Sequence, residues 1–178
     1  MMRWLLIVGG VLVGLVALTL VVGLLRPAGH IAATRAHYAA PAAEVWAAVS
    51  DWERWGEWQP EIRTVERLPD RDGHPALLTS GSWGDMPMEI LESDPPRRFV
   101  TEVDGGAFRG RWTYELEPAD NGTRLTITEE GQVSNPLFRA FMMFHDNYAT
   151  MFEYHRALGE RLNVAVVGQE IVATSIEG

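Results

Sequence analysis

The sequence contains no cysteine and no lysine. Without cysteine there is no disulfide, thiol nucleophile or thiolate metal ligand. Without lysine there is no Schiff-base chemistry on a side-chain amine. The 15 basic residues other than histidine are therefore all arginine, which looks like codon bias in a GC-rich genome, and a bacterial source is expected. Positive charge is scarce overall. The formal net charge is −9, and Arg3 and Arg26 contribute +2 of it, so the rest of the chain carries −11. Nucleic-acid affinity comes mainly from neutralising phosphates, and so acidic a chain is not expected to bind DNA or RNA. The five histidines, His30, His37, His74, His145 and His155, include no His-x-x-x-His pair. On one helix His145 and His155 would stand about 15 Å apart, so no metal site is expected. Ser80 and Ser82 lack the Gly-x-Ser-x-Gly elbow of a serine nucleophile. No cofactor is expected either. There is no internal repeat and no strand–helix alternation of the βαβ kind.

What the chain does have is one long apolar run. Trp4 to Leu25 is 22 residues without a charge, and as a helix it would reach about 33 Å, enough for a ~30 Å hydrocarbon core. A cleaved signal peptide has a shorter apolar core and a small-residue cleavage site. Here Arg26-Pro27 follows instead, so residues 1–28 read as an uncleaved, single-pass anchor. Arg3 and Arg26 bracket the span, and Trp4 occupies an interfacial aromatic position. Basic residues on the two sides nearly balance. The expected arrangement is a signal-anchor with the domain on the extracytoplasmic side.

The remaining length, in a chain that is 47% apolar, fits one domain with a real core. His30 to Ala40 reads as a first strand before Pro41, which opens a helix carrying Glu44 in its first turn and Val45, Trp46 and Val49 on an apolar face. Trp52, Trp55 and Trp58 mark a short second helix packed down as a lid or corner. From Glu61 onward, turn signals at short intervals separate about six antiparallel strands. In the clearest pair, Arg109 to Glu117 and Thr123 to Gln132, Trp112, Tyr114 and Leu116 alternate with polar neighbours, as do Leu125 and Ile127. Asn121-Gly122 supplies the turn between them. Asn135 caps a predicted helix over 135–163, with Leu137, Phe138, Phe141, Phe144, Tyr148, Met151, Phe152, Leu158, Leu162 and both His145 and His155 on one broad face. Arg139, Asp146, Asn147, Thr150, Glu153, Ala157 and Arg161 fall on the opposite, water-facing side. Residues 164–178 form a tail, a loose strand or a disordered segment.

Three stretches resemble the START-like superfamily, also called SRPBCC, in its polyketide cyclase/dehydrase and lipid-transport branch. They are Ala40-Pro41-Ala42-Ala43-Glu44-Val45-Trp46 with Asp51-Trp52-Glu53-Arg54-Trp55 and Trp58-Gln59-Pro60; Asp94-Pro95-Pro96-Arg97-Arg98-Phe99-Val100; and Trp112-Thr113-Tyr114-Glu115-Leu116-Glu117 through Gly122-Thr123-Arg124-Leu125-Thr126. The resemblance covers about residues 30–163. It implies an α+β helix-grip fold over residues 29–163: a curved antiparallel sheet wrapped around the C-terminal helix, with an apolar cavity between them. Members bind or move lipids, sterols, quinones and polyketides, and a minority catalyse cyclisation or hydrolysis. No catalytic motif is shared across the superfamily, so none transfers by position.

The expected ligand-binding residues are Trp83, Met88, Phe99, Trp112, Tyr114, Phe141, His145, Tyr148 and Phe152, although composition alone does not separate pocket lining from core. His145 with Tyr148 is the candidate acid/base or head-group contact. His155 is expected to be structural. Among the strand carboxylates Glu89, Glu102, Glu129 and Glu130, one facing inward would be the better acid/base candidate. The leading expectation is a membrane-anchored binder or carrier of a hydrophobic small molecule. The alternatives are a cyclase/dehydratase-type enzyme using the same cavity, and a filled, ligand-free interaction module at the membrane.

Overall fold

A computed structural model of the protein describes residues 2–142 and 146–175. The chain begins with the helix α1 (Met2–Leu25), whose stretch from Leu6 to Leu25 is long and apolar enough to cross a membrane. Strand β1 (Gly29–Tyr38) follows, then α2 (Ala42–Ser50), a 3-10 turn at Trp52–Arg54 and the short helix α3 (Trp55–Trp58). Six strands come next: β2 (Ile62–Arg71), β3 (His74–Gly81), β4 (Gly84–Asp94), β5 (Arg98–Asp104), β6 (Phe108–Ala119) and β7 (Gly122–Val133). Helices α4 (Pro136–Met142) and α5 (Asn147–Leu162) precede a last strand, β8 (Val166–Ser175). The eight strands form one antiparallel sheet in the order β2-β3-β4-β5-β6-β7-β1-β8. This is the α+β architecture expected, with the curved sheet folded about α5.

β1 sits between β7 and β8, and its buried face is built from small residues. Ala32, Thr34 and Ala36 are buried, with Tyr38 at the far end, and this low relief lets α5 lie close against the strand. His155 fixes the contact. Its ring is fully buried, with Nδ1 2.7 Å from the Tyr38 hydroxyl and Nε2 3.1 Å from Thr34 Oγ1. The Tyr38 hydroxyl also lies 3.2 Å from the His155 carbonyl oxygen, to which it can donate, so either neutral tautomer gives the ring one donor and one acceptor for its two hydroxyl neighbours. Burial holds the imidazole down to about 4, well below the ordinary histidine range.

The lid tryptophans form the other half of the core. Trp55 is buried, donates its indole N–H to the Val49 carbonyl (3.0 Å) and meets Phe99 edge-on at 6.2 Å. Trp46 meets the same ring edge-on at 6.0 Å. Phe99 is thereby enclosed by α2 and α3, and it belongs to the packed core.

Two features differ from the sequence reading. The single helix expected over 135–163 is two helices: Asn135 does cap α4, accepting from the Leu137 N–H at 2.9 Å. Asp146 then stands extended (φ −102, ψ 99) and starts α5 afresh by accepting from the N–H groups of Tyr148 and Ala149. An extended residue cannot lie inside a helix, so the apolar spacing of the two segments is not one stripe. The water-facing side also differs, since Ala157 is buried and Thr150 half-buried. α5 packs against β1, β8, α2 and α3 together, which covers more than one face. Of the two possibilities open for the tail after Asn163, the strand is the one that forms, as β8 over Val166–Ser175. Gly168 (φ 65) interrupts its alternation, and the register against β1 shifts twice, which hides the strand pattern from a period-2 reading.

Candidate functional site

One cavity of about 170 Å³ opens between the β3–β6 part of the sheet and the helices α3, α4 and α5. Its wall at the mouth is mainly apolar: Met86, Met88, Val103, Phe108 and Trp112 from the sheet, Phe138 and Met142 from α4, with Thr79 and Ser80 of β3 beside them. The same end carries the Glu61 and Trp83 clasp. A Cβ on Gly81 would collide with the Glu61 carbonyl, so only glycine lets the chain from α3 cross β3 here. The Glu61 carbonyl then accepts from the Ser82 N–H (3.0 Å) and its carboxylate from the Trp83 indole N–H (3.0 Å), which holds the Trp83 ring on the cavity wall.

The inner end is polar. Tyr114 on β6 and Tyr154 on α5 have ring centroids 5.6 Å apart, and Trp58 of the lid packs on Tyr154 at 5.1 Å. Burial pushes both tyrosine hydroxyls above their ordinary range, so they stay protonated and serve as donors. Thr101 on β5 points into the same space, as does Gln59 beyond α3. Thr101 Oγ1 and Gln59 Nε2 are buried without a hydrogen-bond partner, and the Tyr154 hydroxyl, beside that of Tyr114, has none at good geometry. Leaving such a group unpaired costs about 1–3 kcal/mol. Three of them on one cavity wall mark a place where polar atoms of a guest, or ordered water, are accommodated.

Glu129 completes the wall. Cross-strand pairing places it opposite Trp112, and it is buried, with His30 Nε2 at 3.5 Å from its Oε1. That pair is ionic only when His30 is protonated. Of the four strand carboxylates considered from sequence, Glu129 is the one on the cavity wall. Among the described residues no three His, Asp or Glu side chains converge as a metal cage.

The residues expected from sequence to bind ligand are distributed as follows. Trp83, Met88, Trp112 and Tyr114 line the cavity. Phe99 lies in the packed core, Tyr148 is half-buried against that core, and Phe152 lines an outer groove between α5 and β8. Phe141 points away from the cavity and is 62% exposed. His145 lies outside the described residues. Gln59, Thr101 and Tyr154 were not singled out from sequence. Phe99, Thr101 and Val103 share one face of β5, and only the covering tryptophans decide which of them is core and which is wall.

A family model described as "Polyketide cyclase / dehydrase and lipid transport" matches residues 30–159. The chain belongs to that family. No curated protein matches the sequence. Among solved structures, the Zhui aromatase/cyclase from Streptomyces sp. R1128 is similar at 14% identity and a TM-score of 0.64, over 76% of this chain and 94% of that one. A START superfamily protein from Mycobacterium smegmatis gives 18% identity and a TM-score of 0.60, over 75% and 97%. A Thermus thermophilus protein, TTHA0849, gives 18% and 0.61, over 75% and 97%. At these identities the likeness establishes the START-like fold of this polyketide cyclase/dehydrase family member, and chemistry has to be argued from the cavity.

Proposed function

We propose that this protein is a membrane-anchored binder or carrier of an apolar molecule bearing a small oxygen-containing head. The observation that carries the reading is the polarity of the cavity: mainly apolar at its mouth, with the Gln59, Thr101 and Tyr154 polar groups that lack a well-formed hydrogen bond at its inner end. Keeping 170 Å³ unfilled forgoes about 4 kcal/mol of packing, a large fraction of a domain's net stability of roughly 5–15 kcal/mol. Such a space is retained for a guest. Its size holds about one ring or a short branched head, comparable with an engineered ~150 Å³ cavity that takes benzene. The rest of a larger guest therefore extends through the mouth. α1 supports the anchor, because an apolar guest partitions into the bilayer and a tethered cavity meets it there at high effective concentration.

Protein purified from membranes in mild detergent is expected to release an apolar molecule on organic extraction. Its melting temperature is expected to rise with at least one member of a lipid, quinone and sterol panel. Val103→Phe, which places a ring in the cavity, is expected to abolish both effects without unfolding the domain. An empty extract together with an unshifted melting temperature across the panel overturns the reading.

Glu129 favours a second reading, a cyclase or dehydratase. A buried carboxylate beside the Tyr114 and Tyr154 donors could take a proton next to a carbonyl while the hydroxyls hold the developing oxyanion. Glu129→Gln separates the two: a binder keeps its guest with affinity changed less than about tenfold, whereas an enzyme keeps the guest and loses turnover.

A further inference from the structure

The cavity mouth and the apolar helix α1 share one end of the fold. The last turn of α1 is held against α4: a Cβ on Gly23 would collide with the Pro136 carbonyl, so the backbones cross in contact. The Arg139 guanidinium locks this crossing by donating to the carbonyl oxygens of Arg26 (2.9 Å) and Ser134 (3.3 Å). Further up, Gly9, Gly10 and Gly14 have no neighbouring atom within 4 Å of a Cβ position, so that part of α1 stands clear of the domain.

α4 has two faces. Phe138 and Met142 line the cavity, while Leu137 and Phe141 turn outward, 43% and 62% exposed. Sheet register carries the same end across to the β3–β4 turn: Gly29 pairs with Gln132, Gln132 with Arg109, Arg109 with Asp104, Met88 with Val103, and Gly81 with Gly84. Trp83 sits in that turn, 39% exposed, and also lines the cavity. Exposed apolar side chains from two separate segments thus rim the mouth on the side from which α1 departs.

We propose that this edge is immersed in the bilayer surface, with Leu137, Phe141 and Trp83 at the boundary of head groups and acyl chains, so that the cavity opens to the membrane and not to bulk water. The inference rests on the reading of α1 as a membrane anchor. Gly23 lies two residues before Leu25, the end of the apolar span, which is about 3 Å along the axis. Pro136 is therefore level with the rim of the hydrocarbon core, and α4 occupies the interfacial layer, where apolar faces bury by about 5–10 Å. A tryptophan at that level fits the aromatic belt. The partner is lipid taken up by apolar contact and not by charge. The chain has no lysine, and two of the arginines at this edge are engaged, Arg109 with Asp104 at 2.6 Å and Arg139 with backbone, while exposed Arg26 ends the apolar span. A guest could then pass from the acyl layer into the cavity without crossing water.

Because the chain has no cysteine, single variants Phe141→Cys, Trp83→Cys and, at the opposite end of the sheet, Glu117→Cys can each carry one environment-sensitive fluorophore. The full chain is reconstituted in phosphatidylcholine nanodiscs containing lipids with a nitroxide high on the acyl chain. Labels at 141 and 83 are expected to shift to the blue and to be quenched at least about threefold more than the label at 117, as interfacial burial requires. Equal quenching at all three positions overturns the proposal, and so does a chain that stays out of the nanodisc. The two readings fail separately. A protein without a guest whose edge is still quenched removes the binding function alone, whereas a protein that carries a guest with an unquenched edge removes only the membrane-facing mouth.

Discussion

The double substitution Thr101→Val and Tyr154→Phe is expected to weaken guest binding by about a hundredfold while leaving the empty domain as stable as before or more stable by about 1 kcal/mol. The opposite signs are the point. Thr101 Oγ1 is buried without a partner, and the Tyr154 hydroxyl has none at good geometry, only the nearby hydroxyl of Tyr114, so neither contributes a well-formed hydrogen bond to the empty fold. Each contributes desolvation cost instead, and removing the oxygen relieves it. With a guest present the same two oxygens pair with its head, each such bond being worth about 1–1.5 kcal/mol, and the pair gives roughly 3 kcal/mol of affinity. The rings stay in place, because Tyr154 is held by Trp58 and Tyr114 through packing. Melting curves and titration with the extracted guest on the same preparations measure both quantities. A variant that is less stable when empty yet binds as well as the parent would assign these hydroxyls to internal water and the fold, and would remove the polar inner end as a recognition element.

Much of the scaffold was legible because it depends on local periodicity. Trp112, Tyr114 and Leu116 alternate as a half-buried strand must, and β6 forms there with Trp112 and Tyr114 on the cavity side. The three lid tryptophans are too apolar for a solvent loop, and the structure buries Trp55 and half-buries Trp52 and Trp58. The break between α4 and α5 was less visible. Apolar residues keep nearly helical spacing from Phe141 to Tyr148, and the only contrary signal is Asp146-Asn147, an N-cap pair inside the pattern. Site residues were harder still. Glu129 was one of four strand carboxylates, and a one-residue change of register would have turned it to solvent. What placed it was its pairing with Trp112 across β6 and β7. Thr101 differs from an ordinary strand threonine only in lacking a partner, a property of the assembled wall that no local pattern encodes.

Acid is expected to unfold this domain through His155. The imidazole is held down to about 4 by burial, whereas in the unfolded chain it titrates near its ordinary value of about 6.5. Between those values the unfolded chain binds a proton that the native state refuses. The contribution of His155 to stability is therefore complete well above pH 6.5, falls as pH drops through the window, and levels off as pH passes below about 4, where the native ring also takes up its proton. Integrated from pH 7 to pH 4 the loss is about 3 kcal/mol, and at pH 5 it is already about 2 kcal/mol. The physical event is charging of a ring wedged between Tyr38 and Thr34. A protonated ring holds its charge in a buried setting at the point where α5 is fastened to β1, and that desolvation is what opposes protonation of the native state. His155→Gln keeps an acceptor and a donor at the site but cannot titrate. Urea unfolding of parent and variant at pH 7, 5 and 4 isolates the term, since every other titrating group is common to both. The parent's extra loss should reach about 2 kcal/mol by pH 5. Parallel pH profiles for the two proteins would show that the acid response originates elsewhere, and His155 would then be a packing residue without a protonation role.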